Sequence, residues 1–262
     1  MRKYSEDSPP EPFGLQNSNS ICYFNSTLQT LLSCSSLLEM LNSSNLFVES
    51  IKNLLGSGKN NMNCWNCLNT ELLSQRISNF TLGNQNCVAE CLNLAIQCMP
   101  KDIQELFYHR LAVRQTCETC GLIFSERIET DVIFKFNSHS VSPSLIKIQK
   151  SELDIKCPQC EKNKVMIYSA TMVPEILAIM FLDIHGDCDR VDIPEIIKIE
   201  GRNGTLNYRA VSYINHYGSQ AGGHYVAYCR RKGKWYMLND VYISESQFSP
   251  DKNTYMIIYH YT

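Results

Sequence analysis

The feature that most constrains this chain is a change of hydrophobic period near residue 108. From about 21 to 110 apolar residues recur at helical spacing, most clearly from Cys22 to Leu32 and then around 46–55, 70–78 and 87–98. After it come short runs rich in Ile, Val, Phe and Tyr, at 122–136, 165–170, 208–214, 224–229, 234–238 and 255–261, with turn signals such as Arg202-Asn203-Gly204 and Lys232-Gly233 between them. The apolar stretch 176–182 reads as a buried strand, far too short to span a bilayer. Helices first and strands afterwards specify an α+β protein and exclude an alternating βαβ pattern. The 262 residues, 44% of them hydrophobic, suit one large domain or two small ones. Residues 1–12, charged and proline-rich, are expected to form a flexible, solvated leader without a signal-peptide core.

Charge and cysteine usage narrow the class. Twenty-four Lys and Arg face 26 Asp and Glu, so no basic field points to nucleic acid or to an anionic membrane. Thirteen cysteines, an odd count with several C-x-x-C pairs, fit thiol and metal chemistry in a reducing compartment better than a disulfide scaffold. The expected location is cytoplasmic or nuclear.

Gly14 to Gln29 carries a polar loop directly into an amphipathic helix that begins at Cys22. Unpaired backbone N–H groups and the positive end of the helix dipole favour thiolate over thiol there, which is what a nucleophile needs. Asn17, just upstream, can turn its amide toward an oxyanion beside that sulfur. Taken alone, the segment fits a buried structural cysteine equally well.

Near the other end, Gly222-Gly223-His224-Tyr225 opens one strand run and Asn239-Asp240 closes the next, with Lys232-Gly233 as the turn between them. Two such strands bring His224 and Asn239 together as a base and its orienting amide, and the glycines permit close backbone approach beside the imidazole. A lone hairpin histidine is more often structural. Combined with Cys22 it completes the order Cys…His…Asn of papain-like proteases.

Cys117-Glu118-Thr119-Cys120 and Cys157-Pro158-Gln159-Cys160 are two knuckles flanking a β-rich stretch. Four thiolates on two tight turns suit one tetrahedral structural Zn²⁺, with no open position for catalysis. Cys64-Trp65-Asn66-Cys67 is a third C-x-x-C for which nothing fixes a partner, so it reads as loop and helix. Cys34, Cys98, Cys188 and Cys229 read as core.

The Cys22 and His224 segments resemble the Cys box and His box of the ubiquitin-specific proteases. Gln85 to Leu92 is similar to that family's Q-Q-D-A-x-E-F-L helix start, and the resemblance runs from about Gly14 to the C-terminus. It implies a papain-like cysteine protease fold over 13–262, with a helical thumb (about 21–107), zinc-ribbon fingers (about 108–172) and a β-rich palm (about 173–262). It implies thiol-dependent cleavage after the C-terminal glycine of ubiquitin, with Cys22 as nucleophile, His224 as base, Asn239 as third member, Asp240 assisting and Asn17 as oxyanion donor. Glu90 falls where the family pairs an acid with the arginine-containing tail of ubiquitin. Gly222, Gly223 and Tyr225 would line a channel for a Gly-Gly tail. Ubiquitin and its conjugates are the implied partners, with a monomeric chain, one structural zinc and no catalytic cofactor. Three departures stand out: Asn19 replaces a glycine, Cys87 replaces an aspartate, and Asp183 stands where a basic residue is usual. The alternatives are the same chemistry on another ubiquitin-like modifier, or a catalytically silent ubiquitin binder.

Overall fold

The computed structural model describes residues 1–42, 44–58, 60–136, 148–161, 163–182, 191–201, 204–219 and 222–262. Asp183, Cys188 and the Arg202-Asn203 half of one expected turn lie outside them.

Helices fill the first part of the chain: α1 (Cys22–Leu31), α2 (Ser35–Glu39), α3 (Leu46–Asn53), α4 (Asn61–Ser74), α5 (Val88–Gln97) and α6 (Lys101–Gln104), with one π-helical turn at Leu54–Gly58. All ten residues of α1 are buried, so it is a central rod rather than a surface helix. Its polar side chains are matched: Gln29 Nε2 donates to Phe13 O at 2.7 Å, and the Thr30 and Ser212 hydroxyls lie 2.9 Å apart. The helix expected at 70–78 instead runs from Asn61 to Ser74 and absorbs the Cys64–Cys67 pair. Asn60 caps it by accepting from Asn63 N, and Arg76, at φ 59°, ends it with Ile77 N bonding back to Leu72 O.

Two sheets follow. A four-stranded antiparallel sheet, in the order β2 (Ile123–Asp131), β1 (His109–Cys117), β5 (Asn163–Met172), β4 (Ile148–Lys156), carries a C-x-x-C knuckle on each of its two turns. A larger sheet runs β11 (Tyr242–Ser246), β10 (Lys234–Asn239), β9 (Gly222–Arg231), β8 (Gly204–Ser219), β12 (Thr254–Tyr261), β6 (Ile176–Phe181), β3 (Ile133–Phe136), and β7 (Ile196–Gly201) also pairs with β8. Helix α1 packs chiefly on β9, and also against α5. The core below it joins Phe24, Leu28 and Leu31 to Ile214, Ala227 and Leu238. A second cluster, including Phe181, Tyr213, Trp235 and Tyr259, covers the far face of the large sheet.

The leader differs from expectation. Tyr4 N bonds to Tyr261 O at 2.8 Å, the Tyr4 ring meets His260 at 5.4 Å, Glu6 pairs with Arg230 at 2.7 Å, and Pro9 is buried. An aromatic ring and a proline supply enough apolar anchorage, and an ion pair enough register, to hold a segment whose composition reads as solvated.

Candidate active site

The loop before α1 is shaped by side chains rather than by glycine. Asn17 Oδ1 accepts from Ile21 N at 2.9 Å, satisfying a donor just ahead of the helix. Asn19 and Ser20 both sit at positive φ, 60° and 62°. Asn tolerates this region and so replaces the expected glycine, but the second left-handed residue had no sequence signal. A Cβ on Gly14 would lie 2.6 Å from Val241 O, and Leu15 N donates to Asp240 O at 2.9 Å. Only glycine lets these strands of chain lie so close. Cys22, the first residue of α1 and 3% exposed, is thereby fixed beside the β10–β11 turn.

His224 and Asn239 come from neighbouring strands, but not from one rung. The β9–β10 ladder closes with Leu238 opposite Ala227, and the two side chains meet beyond it on a diagonal. His224 Nε2 lies 2.7 Å from Asn239 Oδ1. An amide oxygen only accepts, so Nε2 carries a proton and Nδ1 is left for the sulfur. The His224 pKa is raised to about 9, first by its hydrogen bond with Cys22 and then by Asn239 and the charge on Asp240, against the cost of burial. The structure therefore brings thiol, imidazole and amide together from three elements.

Asp240, at φ 52° in the turn, is a junction. Its carboxylate accepts from Asn17 Nδ2 at 2.8 Å and Asn25 Nδ2 at 2.7 Å, and lies 3.8 Å from His224 Nε2. One donor of the Asn17 amide is thus spent on Asp240. Asn25, one turn beyond Cys22 on α1, was not foreseen as part of the site. The C-Y-F-N spacing was visible, but the aspartate it serves lies at the far end of the chain.

On the other flank, Gln85 makes reciprocal bonds to Gly223: Nε2 donates to Gly223 O at 2.8 Å, and Gly223 N donates to Oε1 at 2.9 Å. Gln85 stood in the quoted middle motif without a role. Gly222 faces that side chain, whereas a Cβ on Gly223 would strike His216 Nε2 at 2.4 Å. Glu90 stands exposed in the first turn of α5. Cys87 precedes that helix with its sulfur 2.9 Å from the Tyr255 hydroxyl, beside half-buried Tyr225, whose phenol burial pushes upward.

Far along the chain, Cys117, Cys120, Cys157 and Cys160 gather with all four sulfurs within 4.8 Å of one another. Cys117–Cys160 is 3.4 Å and Cys120–Cys157 is 3.7 Å. Sulfurs bound at 2.3 Å around a tetrahedral ion sit about 3.8 Å apart, so the cluster fits one metal ion. Among the described residues Cys64 and Cys67 do not join such a group; Cys64 donates instead to Ser50 O.

The family model described as ubiquitin carboxyl-terminal hydrolase matches residues 13–259. The chain belongs to this family. Among curated relatives, ubiquitin carboxyl-terminal hydrolase 10 of Saccharomyces cerevisiae is 27% identical over 147 residues, 45% of this chain and 17% of that protein. Ubiquitin carboxyl-terminal hydrolase 15 of Homo sapiens is 33% identical over 73 residues, 26% of this chain and 7% of that one. The chain thus spans less than a fifth of the curated relatives it matches. Among solved structures, the SAGA DUB module Ubp8/Sgf11/Sus1/Sgf73 bound to monoubiquitin has a chain that superposes with a TM-score of 0.76 at 15% identity, covering 100% of this chain and 71% of that one. The same module bound to ubiquitin aldehyde gives 0.73, covering 98% and 71%. At that identity the likeness shows the fold: an α+β architecture shared with the family's protease domains.

Proposed function

We propose that this chain hydrolyses the isopeptide or peptide bond after the C-terminal glycine of ubiquitin. The observation that carries the reading is the meeting of Cys22, His224 and Asn239 at the mouth of a buried helix, in a chain of this family. Cys22 attacks the carbonyl as thiolate, and its own backbone N–H at the helix start faces the developing oxyanion. Asn17 offers the second hydrogen of its amide to the same oxygen. The imidazolium of His224 gives its proton to the departing amine, then the neutral ring takes one from the water that opens the thioester. Asn239 holds the ring, and Asp240 supplies the negative charge that a neutral amide lacks. Gly222, Gly223, Tyr225 and Glu90 form the approach for the tail. Losing the Asn17 donor should cost about two to three orders of magnitude in kcat; full turnover by Asn17→Ala would remove it from this role.

The metal at the four-cysteine cluster is Zn²⁺ in this reading, because four thiolates in a closed tetrahedral set suit that ion. When bound it ties the β1–β2 and β4–β5 turns together, remote from the scissile bond.

Cys87 favours a second reading of the substrate. A cysteine side chain bonded to Tyr255 presents no carboxylate to a basic tail, which fits a ubiquitin-like modifier other than ubiquitin itself. The test is covalent capture by ubiquitin bearing a C-terminal thiol-reactive electrophile, beside matching probes built on other modifiers. An adduct with ubiquitin, lost in Cys22→Ala, supports the first reading. An adduct only with another modifier supports the second, and none with any probe defeats both.

A further inference from the structure

One aromatic side chain at the catalytic cleft lacks a packing role. Tyr242 is 72% exposed, more than any other large hydrophobic among the described residues. It lies directly opposite Asn239 in the β10–β11 ladder, across the two-residue turn Asp240-Val241. Opposed residues project from the same face of a sheet, so the ring stands on the face from which Asn239 reaches His224. The same cleft, about 520 Å³, is lined by Gln16, Asn17, His224, Asn239, Asp240, Val241 and Tyr242. Val241 and Ile243 beside it are 50% and 42% exposed. Strand β11 is the last of its sheet, and its outer edge is unpaired among the described residues.

These residues occupy one flank of His224, while Gly223 and Gln85 occupy the other. We infer that Tyr242, with Val241 and the carboxylate of Asp240, forms the subsite for the leaving group: the side chain of a lysine and the short extended segment that carries it. The inference rests on the proposed hydrolysis, in which the tail approaches along Gly222–Tyr225 and leaves this flank to the amine. As the Cys22 sulfur–carbon bond forms and the carbon–Nε bond breaks, His224 delivers its proton to the departing nitrogen. The four-carbon stem of the lysine lies along the phenol ring, and the neutral amine that leaves takes a second proton from solvent to become an ammonium facing Asp240 and the ring's π face. Segment backbone on either side of the lysine meets the open N–H and C=O groups of β11.

Two substrates with one acyl part separate this from the chemistry itself. The first is ubiquitin carrying a small aromatic amide fluorophore at its C-terminus; the second is ubiquitin joined through its C-terminal glycine to Nε of a lysine within a decapeptide. The readout is the ratio of kcat/KM for the second over the first. In Tyr242→Ala that ratio should fall about five- to tenfold, the scale of one apolar contact in a specificity pocket. Tyr242→Phe, which keeps the ring, should restore most of it. Leu73→Ala, at a residue on α4 that is 58% exposed, should leave it at the wild-type value. An unchanged ratio in Tyr242→Ala, or a parallel loss on both substrates, overturns the leaving-group assignment while the proposed hydrolysis stands. Wild-type protein that turns over neither substrate overturns the hydrolysis and this inference with it.

Discussion

Two regions of this molecule set cysteine in opposite surroundings. Cys22 is a solitary thiol set among amides and an imidazole, and everything that holds it is protein: a helix buried on all sides, a loop bonded to the β10–β11 turn, and a carboxylate receiving two side-chain amides. The four-cysteine end has little of this. Its β1–β2 ladder carries the exposed pairs Arg114–Glu126 and Arg127–Glu129, which stabilise little in water, and its turns converge on sulfur. The difference teaches what fixes a cysteine's chemistry. A thiol alone beside a base is arranged to react, whereas four thiols facing one point are arranged to bind.

Separability of the two regions can be broken or sharpened by experiment. The largest effect should come from Cys22→Ala, which should lower turnover on the order of 10⁴-fold or more while leaving the metal content at one equivalent. Metal loss alongside lost turnover would mean that the regions are coupled. Next in size, a strong chelator should release that ion and speed amide exchange through residues 109–131, with β9 and β10 still protected. Exchange rising equally in both sheets would show one cooperative unit. A smaller shift should appear in the pH profile. Because the His224 pKa is raised to about 9, the imidazolium persists through neutral pH, and kcat/KM should fall as pH climbs through about 9. Asp240→Asn removes one of the charges that raise it, so the alkaline limb should move to lower pH; an unmoved limb would deny Asp240 its electrostatic part. The least effect belongs to Arg114→Ala, expected within about 0.5 kcal/mol in denaturant unfolding.

Much of this was legible in sequence because it is local. The helix at Cys22, the strands bearing His224 and Asn239, and the two knuckles each announce themselves within a dozen residues. Strands β1, β4, β7 and β11 gave weaker signals. Half-exposed stretches such as His109–Cys117 and Tyr242–Ser246 owe their conformation to a paired neighbour more than to their own apolar period. The parts of the site that sequence missed are contacts of high separation. Gln85 on Gly223 and Asn25 on Asp240 are ordinary amides until a fold places a backbone or a carboxylate within 3 Å. The contacts of residues 1–12 were missed for the same reason, since composition records that a segment is polar and says nothing of the distant partners that Tyr4 and Glu6 meet.

The bond from Tyr4 to Tyr261 also settles how this stretch of chain is tethered. Tyr261 is opposite Tyr208 in β8, whereas His224 is opposite Tyr217. Nine residues of strand separate those rungs, about 30 Å at the usual rise per residue. Tyr4 and Tyr261 thus lie side by side, at the far end of β8 from the imidazole. A polypeptide attached just before Tyr4 or just after Tyr261 would start clear of the cleft, and one short linker could join the two positions, leaving a surface turn elsewhere free to be opened in a circular permutant.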